Sequence, residues 1–126
     1  MRKFRSVFLF IFLNAGLLSA QDAIHHMVLF KRKPEVKKND QRYLNAVQLL
    51  MQLSDSIPNI IEMRAGENFS ERPIAHDFGL MVVLPNEKAL QAYSEHPFHK
   101  SVVQAWKLIA DWTIADFWAT VRKVEE

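Results

Sequence analysis

Two periods of apolar spacing alternate along this 126-residue chain. Ile24-His25-His26-Met27-Val28-Leu29-Phe30-Lys31 is rich in branched and aromatic residues and predicts a strand. Its apolar run alternates little, which predicts burial on both faces, as in a central strand. Pro34 ends it. Asn39 or Asp40 can cap the next segment, where Tyr43, Leu44, Val47, Leu50, Met51 and Ser54 follow helical spacing up to Pro58. Ile60 to Phe69 predicts a second strand, with Ile61, Met63 and Ala65 opposite Glu62, Arg64 and Gly66. After a loop containing Pro73, His76 to Leu84 predicts a third. Glu87 to Tyr93 is helical, and Val102, Val103, Trp106, Ile109 and Ala110 mark a further helical face beyond Pro97. Asp111 to Val121 predicts a last strand, Trp112, Ile114, Asp116 and Trp118 lying opposite Thr113, Ala115 and Phe117.

The order is β-α-β-β-α-β, which predicts an α+β, ferredoxin-like fold. Right-handed crossovers place both helices on one face of a four-stranded antiparallel sheet. The other face is left bare, and Met27, Leu29 and Phe117 are expected to point there. An apolar sheet face of that size marks an association surface. A homodimer, two sheets packed face to face, is therefore the expected partner arrangement.

The N-terminus changes the charge argument. Met1-Arg2-Lys3-Phe4-Arg5 is a basic segment, Val7 to Leu13 is uninterruptedly apolar, and Leu17-Leu18-Ser19-Ala20 ends in small residues. That order predicts a signal peptide over residues 1–20, too short for a comfortable membrane span, with cleavage after Ala20. The chain is thus expected to be exported, periplasmic or secreted, without stable membrane association once cleaved. The full chain has 16 Lys+Arg against 14 Asp+Glu. Losing Arg2, Lys3 and Arg5 leaves 13 against 14, so the basic balance gives no reason to expect nucleic acid as a partner. The absence of cysteine excludes a disulfide framework and a lipid anchor on cysteine. Residues 21–126 are one domain's worth of chain.

Candidate chemistry concentrates in Tyr93-Ser94-Glu95-His96-Pro97-Phe98-His99. In one unbroken helix Tyr93 and His99 would lie roughly 120° apart. Pro97 fits best at the first position of a new helix, so the expected shape is helix, elbow, helix, with His96 as a cap. The elbow can bring both rings to one cleft. His99 then sits in the first turn, where the positive end of the helix dipole favours a neutral imidazole, the state a base requires. His26 shares a strand face with Val28 and Phe30, and these three with Phe78 are candidate ligand contacts. Asp116 is an acid on an apolar strand face and needs a partner, either His26 or a backbone donor. The five histidines match no metal-site spacing, and the three glycines form no phosphate loop, so neither metal nor cofactor is expected.

Five segments in register carry a resemblance. His25-His26-Met27-Val28-Leu29-Phe30-Lys31, Phe78-Gly79-Leu80-Met81-Val82-Val83, Ala89-Leu90-Gln91-Ala92-Tyr93, His96-Pro97-Phe98-His99 and Ile114-Ala115-Asp116-Phe117 resemble the stress-responsive A/B barrel (Dabb) family. The likeness covers essentially all of residues 21–126 and implies a dimeric α+β barrel. It also implies candidate roles, because a plant member of the family closes a polyketide chain by aldol condensation. That enzyme's catalytic tyrosine and histidine match Tyr93 and His99, and its strand-one histidine matches His26. The resemblance implies a homodimer binding a small apolar or carbonyl-containing ligand in the cleft between sheet and helices. The alternative it implies is a lyase- or cyclase-like enzyme with His99 as general base and Tyr93 as hydrogen-bond donor to the oxyanion.

Overall fold

The structure, a computed structural model, describes residues 22–120. The expected signal peptide, the end of the expected last strand at Val121 and the charged tail over residues 122–126 lie outside the described residues. Strand β1 (Ala23–Arg32) is the scaffold of the sheet. It pairs with β3 (Phe78–Leu84) on one side and β4 (Ala110–Ala119) on the other. Strand β2 (Glu62–Glu67) adds to β3, giving the order β2-β3-β1-β4 with every neighbouring pair antiparallel. This is the ferredoxin-like arrangement expected of the chain.

Each helix has a local cause. Helix α1 (Gln41–Leu50) starts at Asp40, whose carboxylate accepts the Arg42 backbone N–H at 2.9 Å, and buries Tyr43, Ala46 and Leu50 along one stripe. The predicted helix up to Pro58 is broken. Gln52 N–H donates to the Leu49 carbonyl, the tighter i→i+3 bond, and a short α2 (Leu53–Ser56) resumes with Leu53 fully buried. Ile57 is extended ahead of Pro58, and Asn59 takes the left-handed conformation (φ 70°) that lets the chain reverse. Helix α3 (Glu87–Glu95) is capped by Asn86, which accepts the Ala89 N–H at 2.9 Å. Helix α4 (Pro97–Lys107) begins immediately after His96.

Strands β2 and β3 are shorter than the apolar pattern predicts, whereas β1 extends one residue further at each end. β2 stops at Glu67 because Asn68 closes a turn on Ser70 with both its amide oxygen and nitrogen, which leaves Phe69 98% exposed. β3 starts at Phe78 rather than His76. The core lies between the sheet and helices α1 and α4. Trp106 is its centre: the ring lies 4.1 Å from Phe30 and 5.6 Å from Phe78, and Nε1 donates to the Ala46 carbonyl at 3.1 Å. That bond ties α4 to α1.

β1 is central, yet its burial alternates within the protomer. Ile24, His26, Val28 and Phe30 are covered by helices, whereas Met27 and Leu29 face the bare side, where Phe117 is also half-exposed. The helices also leave the edge strand β4 partly uncovered on their own side, where Ile114 and Trp118 stay about half exposed. No described helix is long and apolar enough to cross a membrane.

Candidate functional site

The elbow at Pro97 is made by His96, which ends α3 and starts α4 with one backbone conformation (φ −62°, ψ 135°). Its Nδ1 accepts the Phe98 N–H at 3.0 Å, so this ring is committed to capping. Proline occupies the first helical position, where the missing N–H costs nothing. The turn of the chain overcomes the roughly 120° offset that a continuous helix would impose. Tyr93, from the last turn of α3, and His99, from the first turn of α4, come together with ring centroids 4.6 Å apart.

The sheet supplies the other half. His26 and Asp116 are register partners on β1 and β4, and His26 Nδ1 lies 2.6 Å from Asp116 Oδ1. A carboxylate only accepts, so Nδ1 carries the hydrogen and Nε2 is the nitrogen left over. The His26 ring stands edge-on to Tyr93, centroids 5.4 Å apart. His99 is held in the same manner by backbone: its Nδ1 lies 3.0 Å from the Ser94 carbonyl oxygen, which again places the hydrogen on Nδ1 and the lone pair on Nε2.

Burial tunes these groups in opposite directions. It lowers the His99 pKa below the ordinary imidazole value; the nearby His26 and His96 add to this, and the bond to Ser94 partly opposes it. His99 is therefore neutral around pH 7. Burial, and after it the Asp116 carboxylate, pushes the Tyr93 phenol well above its usual range, so it remains a donor. Tyr93 is 1% exposed and its hydroxyl, fully buried, has no hydrogen-bond partner. A neutral base, a protonated donor and an oriented imidazole thus line one cleft.

The cleft has a volume of about 180 Å³. His26, Tyr93, Ser94, His99 and Asp116 form its polar side, and Val28, Phe30, Leu80, Val102, Trp106 and Trp112 are among its apolar walls. Of the sequence-derived candidates, Tyr93, His99, His26, Val28 and Phe30 are brought together here. Phe78 is not. It pairs with Phe30 at the far end of the sheet from His26 and packs in the core behind Phe30 and Trp106, without lining this cleft. Leu50, Leu53, Val102 and Trp106 also line the cleft, though their helical spacing alone marks them as core. No group of three or more His, Asp or Glu side chains among the described residues is placed to hold a metal ion.

Comparison with known proteins adds a family and a fold. The sequence profile of the stress responsive A/B barrel domain matches residues 24–119. An uncharacterised protein of Streptomyces coelicolor is 36% identical over 94 residues, 75% of this chain and 97% of that protein. Among solved structures, a dimeric ferredoxin-like protein of unknown function from Thermobifida fusca superposes with a TM-score of 0.68 at 21% identity, covering 77% of this chain and 91% of the other. A hydroxynitrile lyase from Passiflora edulis superposes with a TM-score of 0.64 at 9% identity, covering 85% and 99%. At those identities the two structures establish the fold alone.

Proposed function

The chain belongs to the stress responsive A/B barrel domain family, and we propose that within it this protein binds a small carbonyl compound and moves a proton on it. The observation that carries this reading is the Tyr93 hydroxyl: buried, held protonated and without a partner in the wall of an apolar cleft. Leaving such a group unpaired costs about 1–3 kcal/mol. An acceptor oxygen on a ligand removes that cost. A carbonyl is the acceptor that also gives the neighbouring neutral imidazole something to do.

In this mechanism His99 Nε2 takes a proton from the carbon next to the carbonyl. The C–H electron pair becomes the new C=C bond, and the carbonyl π pair moves onto oxygen. Tyr93 O–H hydrogen-bonds that developing oxyanion, stabilising the transition state more than the ground state. The His26–Asp116 pair orients the second imidazole against Tyr93. Reprotonation of the enolate carbon by His99 returns the ligand. Attack of that carbon on a second carbonyl forms a C–C bond and moves the second π pair onto oxygen. The resulting alkoxide takes the proton held on His99 Nε2, which gives the aldol product of a cyclase; the reverse sequence gives a lyase. The Passiflora edulis enzyme supports this reading in that its fold hosts lyase chemistry.

The apolar walls also support binding without turnover, in which Tyr93 anchors the oxygen and His99 is a bystander. One experiment separates the two. Exchange of α-protons of acetophenone and acetone into D2O is followed by NMR with wild-type protein, His99→Ala and Tyr93→Phe. Catalysed exchange, falling about 100-fold or more in each variant, is the expected result. Binding with no exchange by the wild type would leave the non-catalytic reading standing.

The working form is proposed to be an exported homodimer. The signal-like residues 1–20 support export, and mass measurement of a mature N-terminus at Gln21 in the exported fraction tests it. The half-bare sheet face around Leu29 and Phe117 supports dimerisation, as does the dimer described for the Thermobifida fusca protein.

A further inference from the structure

We infer that the ligand of this cleft is an uncharged carbonyl compound on a single ring, and that Asp116 excludes its anionic counterparts. This rests on the reading of the cleft as a carbonyl site and narrows it to a chemical class. Three observations carry it.

The first is size. An apolar protein cavity of roughly 150 Å³ is enough to hold benzene. The cleft measures about 180 Å³. The difference is about the volume of one water in the liquid, room for a carbonyl substituent, whereas a second fused ring would have to project through the mouth past Asp116.

The second is wall chemistry. Phe30, Trp106 and Trp112 line the interior, with the Phe30 and Trp106 rings 4.1 Å apart and the Phe30 and Trp112 rings 6.0 Å apart. Such faces receive a flat ring in offset or edge contact. The polar atoms are gathered on the side of Tyr93, His26 and His99, so a bound ring has one direction in which to point its oxygen.

The third is charge. Among the described residues lining the cleft there is no Lys or Arg, and Asp116 is the sole carboxylate. Its side chain is 41% exposed, so it stands at the mouth while its Oδ1 bonds His26. An anionic ligand would lose its water among apolar walls without a cation to replace it. It would also approach the Asp116 carboxylate, a repulsion that is strongest in a partly desolvated mouth. A neutral aldehyde or ketone meets neither obstacle.

The test uses the mature chain, residues 21–126, and reads ligand binding by quenching of tryptophan fluorescence, since Trp106 and Trp112 both line the site. Acetophenone, toluene, 2-acetonaphthone and benzoate are titrated against wild type, Tyr93→Phe and Asp116→Asn. Acetophenone is expected to bind at least about tenfold more tightly than either benzoate or 2-acetonaphthone. Asp116→Asn keeps an acceptor for His26 but removes the charge, and it is expected to shift the benzoate-to-acetophenone affinity ratio about tenfold towards benzoate. Wild-type protein that binds benzoate or 2-acetonaphthone as tightly as acetophenone overturns the inference, as does an unchanged ratio in Asp116→Asn. If Tyr93→Phe still weakens acetophenone binding in that case, the carbonyl site survives and only its selectivity is wrong. If acetophenone binds no better than toluene and Tyr93→Phe alters neither, the carbonyl reading itself falls.

Discussion

The imidazole of His26 and the carboxylate of Asp116 meet across the β1–β4 ladder, Nδ1 and Oδ1 2.6 Å apart. The His26 side chain is 8% exposed and that of Asp116 41%, so a buried donor is satisfied by an acceptor that still reaches water. The carboxylate does not suffer full desolvation, which is what makes such a pair affordable in a small domain. Its effect on the site is orientational: with Nδ1 engaged, the His26 ring is held edge-on to Tyr93.

Removing that carboxylate should therefore cost stability as well as geometry. Asp116→Ala leaves the His26 Nδ1–H unpaired in a buried position, a loss of about 1–3 kcal/mol. For a domain of this size that lowers Tm by roughly 5–15 °C. Asp116→Asn, which still offers an oxygen, should recover most of the loss. Thermal denaturation of wild type and the two variants checks this, and an Asp116→Ala variant with the wild-type Tm would show that the pair contributes nothing to folding.

How much of this was legible in the chain depends on the range of the interaction. The Pro97 elbow and the His96 cap are local: proline chemistry and a side chain two residues from its acceptor decide them, and both can be read from the sequence. Asp116 stood out as an acid on an apolar strand face. The sequence leaves its partner open between His26 and a backbone donor, because the pairing spans 90 residues. Phe78 shows the opposite case. Alternation along β3 correctly turns it towards the helices, but alternation carries no information on depth or on position along the sheet. The ring ends up behind Phe30 and Trp106. The break after Leu50 and the exposure of Phe69 were hidden for a similar reason. A tightened turn at Leu49–Gln52 and an Asn68 side-chain turn override patterns that look continuous.

The pH dependence of proton exchange should follow His99. Its pKa is depressed by burial, so the base stays neutral below the ordinary imidazole value of about 6.5 and activity should hold to a more acidic pH than for a free imidazole. Stability has a matching sign. Between the depressed folded value and about 6.5 the unfolded chain binds the proton and the folded chain does not, so the His99 contribution is full above about 6.5 and is lost as pH falls through the folded value. At the alkaline end Tyr93 acts in reverse, since its phenol keeps its proton in the fold: stability should decline once pH passes about 10, where the unfolded tyrosine ionises. Chemical denaturation from pH 4 to 11 on wild type and His99→Gln separates the acid limb; an identical acid limb in the variant would remove His99 from the account.

The His96 cap should matter to the site through the elbow alone. Its Nδ1 satisfies the Phe98 N–H at 3.0 Å, and neither ring nitrogen is needed for proton transfer in the mechanism above. His96→Ala should cost about 0.5–2 kcal/mol of stability. His96→Asn or His96→Ser, which cap as well or better, should restore it. Exchange activity should track the cap: reduced in the alanine variant and recovered in the asparagine one. Loss of activity in all three variants, with stability restored, would mean that the imidazole itself takes part.

The bare sheet face makes the last prediction the most direct. Leu29 is 39% and Phe117 40% exposed, and Met27 and Met81 are register partners on the same face. His25 stacks on Phe117 with centroids 5.6 Å apart, which keeps that imidazole flat against the apolar surface. A patch of this kind is stable in water chiefly when another surface covers it. If a second copy does so, Leu29 and Phe117, of which only about two-fifths is still in water, each contribute about 0.6–1.2 kcal/mol, twice over by symmetry. Placing a charge there reverses the sign, because two like charges are then buried across the two-fold axis without partners. Leu29→Glu and Phe117→Glu should thus give monomers in sedimentation or light-scattering experiments at micromolar concentration, while Leu44→Glu, on the exposed side of helix α1 across the sheet from that face, should leave the dimer intact. Monomers that still bind acetophenone would show the cleft to be complete within one chain, and monomers that do not would show that the partner contributes to it. Wild-type protein that runs as a monomer at every concentration would show that the exposed face has some other cover.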